Sequence, residues 1–397
     1  MLKQVPCFCV ANMLKLPPLS LYIHVPWCVK KCPYCDFNSH GISGDIPEDA
    51  YIKALLHDFE NELSGVYERS ISSIFIGGGT PSLLKAGAYQ KLFKGLQEQV
   101  MLSDEIEITM EVNPGACESH RFQGYLDAGV NRFSLGVQSF QDEKLAAMGR
   151  IHCADEARQA IASIASHDFS NINIDLMHGL PGQSLDDAIY DLKQAVDLKP
   201  AHISWYQLTI EPNTVFYSKT PALPPDDMLW DIQKVGQALL ASAGFRQYEI
   251  SAYSQPGRQS KHNLNYWQFG DYIGIGAGAH GKLTNASTGR IYRNWKTRMP
   301  ADYLAADSHI SHVFEAGRRT LKVDELPIEF MMNVLRLHEG VDAQLYSERT
   351  GQKLSDISQK LKLAQQKELL EPLALVNRLK PTPIGRLFLN DLLELFA

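Results

Sequence analysis

Between residues 19 and 250 the chain repeats one pattern six times: a short run of β-branched, aliphatic or aromatic residues, then a longer amphipathic stretch. The short runs fall at 19–25, 73–76, 105–111, 132–137, 171–176 and 203–208, and helical stretches at 48–63, 83–99, 186–198 and 226–243 follow them. Strands separated by helices cannot pair as hairpins, so they lie parallel under a helical cover. Six such units bend into an open barrel, and the expected class is α/β with a partial (β/α)6 TIM-type barrel over residues 19–250. A chain of 397 residues with 45% hydrophobic content exceeds the usual size of one domain, so a second domain is expected.

Cys28, Cys32 and Cys35 lie directly after the first run, spaced C-x3-C-x2-C. One loop can thereby deliver three thiolates to three corners of a cubane iron–sulfur cluster, and no fourth cysteine is near in sequence to close the last corner. The open iron is what a cofactor or substrate needs in order to ligate. A structural zinc site is the alternative; it wants four closed ligands, and only His24 or His40 is close enough to be the fourth. Seven cysteines in the chain are too sparse, and odd in number, for a disulfide framework. Nothing N-terminal reads as a secretory signal, so the expected location is cytoplasmic.

Net charge of −7 and a pI near 6.0 exclude a general attraction to nucleic acid or an anionic membrane. No run of about 18 apolar residues is present, so no spanning helix is expected. Residues 1–18, with Lys3, Lys15 and prolines at 6, 17 and 18, read as a disordered leader, with Met13 a second candidate start. Residues 251–310 are rich in glycine and aromatics and read as a connector. The run Ile273-Gly-Ile-Gly-Ala-Gly-Ala-His280 within it lacks the following helix of a dinucleotide fingerprint and reads as a close backbone approach to the barrel mouth. Short helices are expected from 311 to 397, at 326–337, 342–347 and 353–367.

In a barrel of this kind chemistry collects at the C-terminal ends of the strands. Gly77-Gly-Gly-Thr80-Pro81 follows the second strand, Glu111 ends the third, Gln138 the fourth and Asp175 the fifth. Singly, each reads equally well as a cap or a satisfied core group. Their recurrence at corresponding positions points to one ligand, and the glycines are expected to expose N–H groups to an anionic carboxylate.

Cys28-Val-Lys-Lys-Cys32-Pro-Tyr-Cys35 resembles the signature of the radical S-adenosylmethionine (SAM) superfamily, and Tyr22-Ile-His-Val-Pro-Trp-Cys28 resembles the entry to that loop in the oxygen-independent coproporphyrinogen III oxidase branch. The resemblance covers residues 19–397. It implies a [4Fe–4S] cluster on Cys28, Cys32 and Cys35, and SAM contacts from Tyr22, Gly78, Gly79, Thr80, Glu111, Gln138, Arg150 and Asp175. SAM would ligate the open iron, and a reduced cluster, supplied by an electron donor, would split its C5′–S bond to a 5′-deoxyadenosyl radical. It also implies that the helical C-terminal domain is winged-helix-like. That domain carries 12 Lys and Arg against 14 Asp and Glu over residues 301–397, a net of −2 and unsuited to DNA.

Two departures separate the chain from the decarboxylase. Phe37 stands where that enzyme has an additional cysteine, and only 21 residues precede Tyr22. Both match the sister group of haem chaperones, the HemW type. His262-Asn263-Leu-Asn-Tyr266-Trp267 resembles their H-N-x-x-Y-W motif, which implies haem binding with His262 as a candidate ligand. No C-x-x-C-H for thioether attachment is present. The leading expectation is a haem chaperone that passes haem to an acceptor, such as a respiratory haem protein, with no residue assigned a catalytic role. An oxygen-independent coproporphyrinogen III oxidase is the alternative, and an iron–sulfur electron carrier a third.

Overall fold

The computed structural model describes residues 14–397 except 67, 117–120, 168, 286, 307–309 and 311. The six repeated units form β1 (Leu19–Val25), β2 (Ile71–Gly78), β3 (Leu102–Val112), β4 (Arg132–Gln138), β5 (Ile172–His178) and β6 (His202–Gln207). Their helices include α1 (Glu48–Glu62), α2 (Ala86–Gln97), α3 (Arg121–Ala128), α4 (Ala154–Ala165), α5 (Leu185–Asp197) and α6 (Asp226–Ser242). Neighbouring strands from β1 to β6 all pair in parallel.

Alternation along each strand explains the layering. On β1, Leu19, Leu21, Ile23 and Val25 join Tyr51, Leu55 and Phe59 of α1 in the outer core. Ser20, Tyr22 and His24 face the barrel interior, where the Ser20 hydroxyl meets that of Ser73 at 2.7 Å and Tyr22 stacks on Phe75. The interior is therefore polar and hydrogen-bonded: His202 bonds Asn173 Oδ1 at 2.6 Å and Tyr248 Oη at 2.8 Å.

The expected connector is a structured part of the barrel. After β7 (Arg246–Gln247) and β8 (Ala252–Ser254), of which β8 pairs antiparallel with β6 and β7 with β8, comes α7 (Lys261–Trp267). Then β9 (Asp271–Ile275) pairs in parallel with the other edge of β1, and β10 (His280–Thr284), β11 (Ile291–Lys296) and β12 (Glu315–Thr320) extend the sheet antiparallel. The order is β12-β11-β10-β9-β1-β2-β3-β4-β5-β6-β8-β7, open at both ends. Glycine hid this strand from a propensity reading but is required by it, because a Cβ on Gly274 would sit 2.0 Å from the His280 carbonyl oxygen.

The sheet thus runs past the expected domain boundary at 310, and a second core begins at Leu321. It gathers Phe330, Met331, Val334, Tyr346, Leu361 and Phe396 from short helices, together with Phe269 and Ile291 of the barrel side. A two-stranded antiparallel ribbon joins Val341–Asp342 to Arg378–Leu379. Residues 1–13 of the expected leader, Met13 included, lie outside the described residues. Residues 14–18 are tied down: the Lys15 amide donates to the Glu348 carbonyl at 2.8 Å and the Arg69 guanidinium to the Pro17 carbonyl at 3.1 Å. No helix among the described residues is long and apolar enough to cross a membrane.

Candidate functional site

The loop leaving β1 carries Cys28, Cys32 and Cys35, all free thiols and all partly buried. Its path is set by backbone bonds, His40 N–H to the Pro26 carbonyl at 2.7 Å and Ile42 N–H to the Cys28 carbonyl at 3.0 Å. The three cysteines share one cavity with Gly78, Gly79, Thr80, Glu111, Gln138, Arg150 and Asp175. Residues as far apart in sequence as Cys28 and Asp175 meet there because each follows, or ends, a parallel strand at the same rim.

The donor set fits a three-thiolate cluster with an amino-acid-like ligand beside it. Thr80 Oγ1 donates to Cys28 Sγ and Arg150 Nη1 to Cys32 Sγ, both at 3.5 Å, so the sulfurs already face polar donors of the kind that tune cluster thiolates. Arg150 Nη2 binds the Gly136 carbonyl at 2.7 Å, while its Nε is buried with no hydrogen-bond partner among the described residues. An orphaned buried guanidinium N–H calls for an anion. Among the described residues no three His, Cys, Asp or Glu side chains converge closely enough for one metal ion, which a mononuclear zinc site would need.

The carboxylates are held away from their usual range. Burial first, and then Asp175, push Glu111 up to about 8, against a bond from Gly78 N–H at 3.1 Å. Burial also raises Asp175, opposed by Ser134 Oγ at 2.9 Å and Asn173 Nδ2 at 2.7 Å. For Glu111 the linkage sign follows directly: between its ordinary 4.5 and about 8 the folded chain keeps a proton that the unfolded chain has released. Its contribution to stability is present below that window and is lost as pH rises through it. The cluster-free, ligand-free protein is therefore expected to lose urea resistance from pH 5 to pH 8, and Glu111→Gln to lose less. Equal slopes for the two chains would remove Glu111 from this account.

Gln138 adopts φ +70°, a left-handed conformation unusual for a side-chain-bearing residue, where β4 shifts register against β5. Such strain, of order 1–3 kcal/mol, persists where the surroundings demand it. Here it turns the Gln138 amide to accept from Tyr206 Oη at 3.0 Å.

Three expectations change. The glycine segment does not offer N–H groups: Gly78 N–H goes to Glu111, Gly79 N–H to the Val25 carbonyl and Thr80 N–H to the Trp27 carbonyl. Its glycines instead permit close packing, since a Cβ on Gly79 would lie 2.5 Å from the Trp27 carbonyl oxygen. Tyr22 does not line the cysteine cavity; its hydroxyl meets His24 Nδ1 at 2.9 Å and it borders a neighbouring cavity. His262 is remote from the mouth. It sits on α7, which lies against the N-terminal halves of β2 and β3, with Nδ1 on Ser73 Oγ at 3.0 Å, Nε2 on Tyr266 Oη at 2.9 Å and its amide on Glu107 at 3.0 Å. Burial first, then Arg132, pushes it down to about 3, and with 1% exposure neither ring nitrogen is offered to a ligand.

Sequence reasoning passed over Tyr206, Ser134, Tyr34 and Asn113, which also line the cavity. Tyr206 was findable by the rule that found Gln138, a polar side chain at the end of a barrel strand. Ser134 was not, because only packing reveals that it braces Asp175.

The model of the Radical SAM superfamily matches residues 22–195, and that of the HemN C-terminal domain matches residues 321–388. Heme chaperone HemW of Escherichia coli (strain K12) is 50% identical over 97% of this chain and 99% of its own length. Heme chaperone HemW of Haemophilus influenzae is also 50% identical, over 97% and 99%. Among solved structures, coproporphyrinogen III oxidase (HemN) from Escherichia coli, a radical SAM enzyme, superposes with a TM-score of 0.79 at 21% identity, covering 98% of this chain and 92% of that one. That likeness supports the partial barrel with its C-terminal helical domain, and half-identity over nearly the full length decides the rest: the chain belongs to the HemW family of the radical SAM superfamily.

Proposed function

We propose that this protein is a haem chaperone: it holds a [4Fe–4S] cluster and SAM at the barrel mouth, binds haem, and transfers it to an acceptor protein. The observation that carries the reading is the cavity in which three free thiols of one loop face Arg150, Glu111 and Asp175. Cys28, Cys32 and Cys35 would hold the cluster. Arg150 would receive the SAM carboxylate, and Glu111 and Asp175 its ammonium or ribose hydroxyls, with Gln138, Thr80, Gly78 and Gly79 also lining the cavity. Tyr22, bonded to His24 and bordering the neighbouring cavity, would not touch SAM directly. When bound, cluster and SAM supply one-electron chemistry at the sulfonium; the chain supplies orientation and exclusion of water.

Two observations favour transfer over porphyrinogen oxidation. The relatives that match nearly the whole chain are named heme chaperones. And Phe37, 58% exposed at the edge of the cavity, offers a phenyl ring with no proton or electron to give where the decarboxylase has a thiol. We further propose a cytoplasmic location, an electron donor for the cluster and a respiratory haem protein as acceptor. Anaerobic reconstitution tests the reading: incubation with haem followed by desalting is expected to leave a Soret band. Coproporphyrinogen III with SAM and a reductant is expected to keep all its carboxyl groups. Loss of carboxyl groups, or no Soret band, would overturn it.

A further inference from the structure

A second cavity, of about 690 Å³, adjoins the first, and Phe37 lines both. It lies between the cysteine loop and the β9–β11 strands, and its volume is in the range of sites that enclose a small molecule, roughly 300–1,000 Å³. Phe37, Tyr266, Tyr272 and Trp295 give it aromatic walls, with the charged Asp36 and Lys296 also on its lining. Trp295 is 36% exposed, and Gly317 opposite it has no side chain, so the indole lies against β12 backbone; a Cβ there would fall 2.3 Å from the ring.

Among the histidines on this cavity, one differs. His24 gives both ring nitrogens to the protein, Nδ1 to Tyr22 and Nε2 to the Asn38 carbonyl at 2.8 Å. His280 is exposed, stands directly across the β10–β11 pair from Trp295, and its ring makes no hydrogen bond with any described residue. Partial desolvation of the ring first, and then the nearby Arg293 and Arg298, hold it below its ordinary range, which keeps a lone pair on the imidazole. Arg298 lines the same cavity, exposed and with no carboxylate partner among the described residues. Asn38 pins the two walls together, donating to the Ala277 and Arg298 carbonyls at 2.9 and 2.8 Å.

A neutral imidazole, flat aromatic walls and a free guanidinium at the rim are the three things an iron porphyrin asks for: an axial ligand, faces to pack on and a partner for a propionate. We propose that haem binds in this cavity with His280 as its axial ligand and Arg298 on a propionate. This rests on the haem-chaperone reading above. It differs in placing the ligand beside the cysteine loop, where Phe37 contacts both cofactor sites, and not on the buried His262.

The test uses the full-length reconstituted protein and ferric haem. His280→Ala is expected to retain at least roughly tenfold less haem after desalting, the loss that removing only the hydrogen-bonded support of a metal ligand already causes. It should keep the iron content of its cluster, and added imidazole should restore the Soret band. His280→Cys should move the Soret band to that of a thiolate-ligated haem. Arg298→Glu should lower retention and leave the band position unchanged. If the unaltered protein binds haem and His280→Ala matches it in retention and spectrum, this site is wrong while the chaperone reading stands. If the unaltered protein takes up no haem, the reading itself fails.

Discussion

A Cys32→Ala protein is expected to purify anaerobically without cluster iron and without the broad absorption at about 400 nm that a [4Fe–4S] centre gives. The reason is the economy of the donor set. One loop supplies three sulfurs, and loss of one leaves two, with no further thiol lining the cavity among the described residues. Cys153, the remaining free thiol among the described residues, caps α4 and does not line the cavity. Cys32 is the most informative of the three because Arg150 donates to it, so the substitution also releases the guanidinium proposed to receive the SAM carboxylate. Calorimetry is expected to show SAM affinity falling with the iron. A Cys32→Ala chain that keeps full iron and absorption would refute the cluster assignment.

Lys296→Met is expected to destabilise the fold by about 3–5 kcal/mol, the cost of breaking a buried ion pair from one side. Lys296 is 2% exposed, and its ammonium lies 2.6 Å from both Asp58 Oδ1 and Glu62 Oε1 on α1. Asp58 also accepts from Tyr303 Oη at 2.8 Å and Gly276 N–H at 3.1 Å, and Glu62 from Asn294 Nδ2 at 3.0 Å. Without the lysine two carboxylates stay buried with no cation. The network ties α1 to β11 and to the Gly276 turn, so it holds one wall of the aromatic cavity. Urea unfolding measures the loss. Replacing all three together, Asp58→Asn, Glu62→Gln and Lys296→Met, is expected to recover much of it, since the uncompensated charge goes with the lysine. A loss below about 1 kcal/mol for Lys296→Met alone would show the pair to be solvated or redundant.

The strand–helix repeat was readable because each barrel strand has an apolar outer row. Leu19, Leu21, Ile23 and Val25, or Ile74 and Ile76, must go under helices whatever lies inside. The cavity residues were readable for a related reason: polar side chains that end such strands fall at one rim. Strand β9 was not, since Gly274 and the glycines just after it read as loop, and only the unpaired edge of β1 and the close approach of the His280 carbonyl make Asp271–Ile275 a strand. His262 shows the opposite failure. Its motif survives intact, but the Ser73 and Tyr266 hydroxyls that claim both ring nitrogens lie on another strand and a helical turn away.

Taken alone, then, the order of residues determined the layered barrel, the three sulfur donors on one loop and the net acidic balance, because periodicity, spacing and charge are local or additive. Tertiary structure decided which polar groups remain free. Hydrogen bonds between distant strands consume the N–H groups of Gly78, Gly79 and Thr80 and both nitrogens of His24 and His262, and leave Arg150 Nε and the His280 imidazole without partners among the described residues.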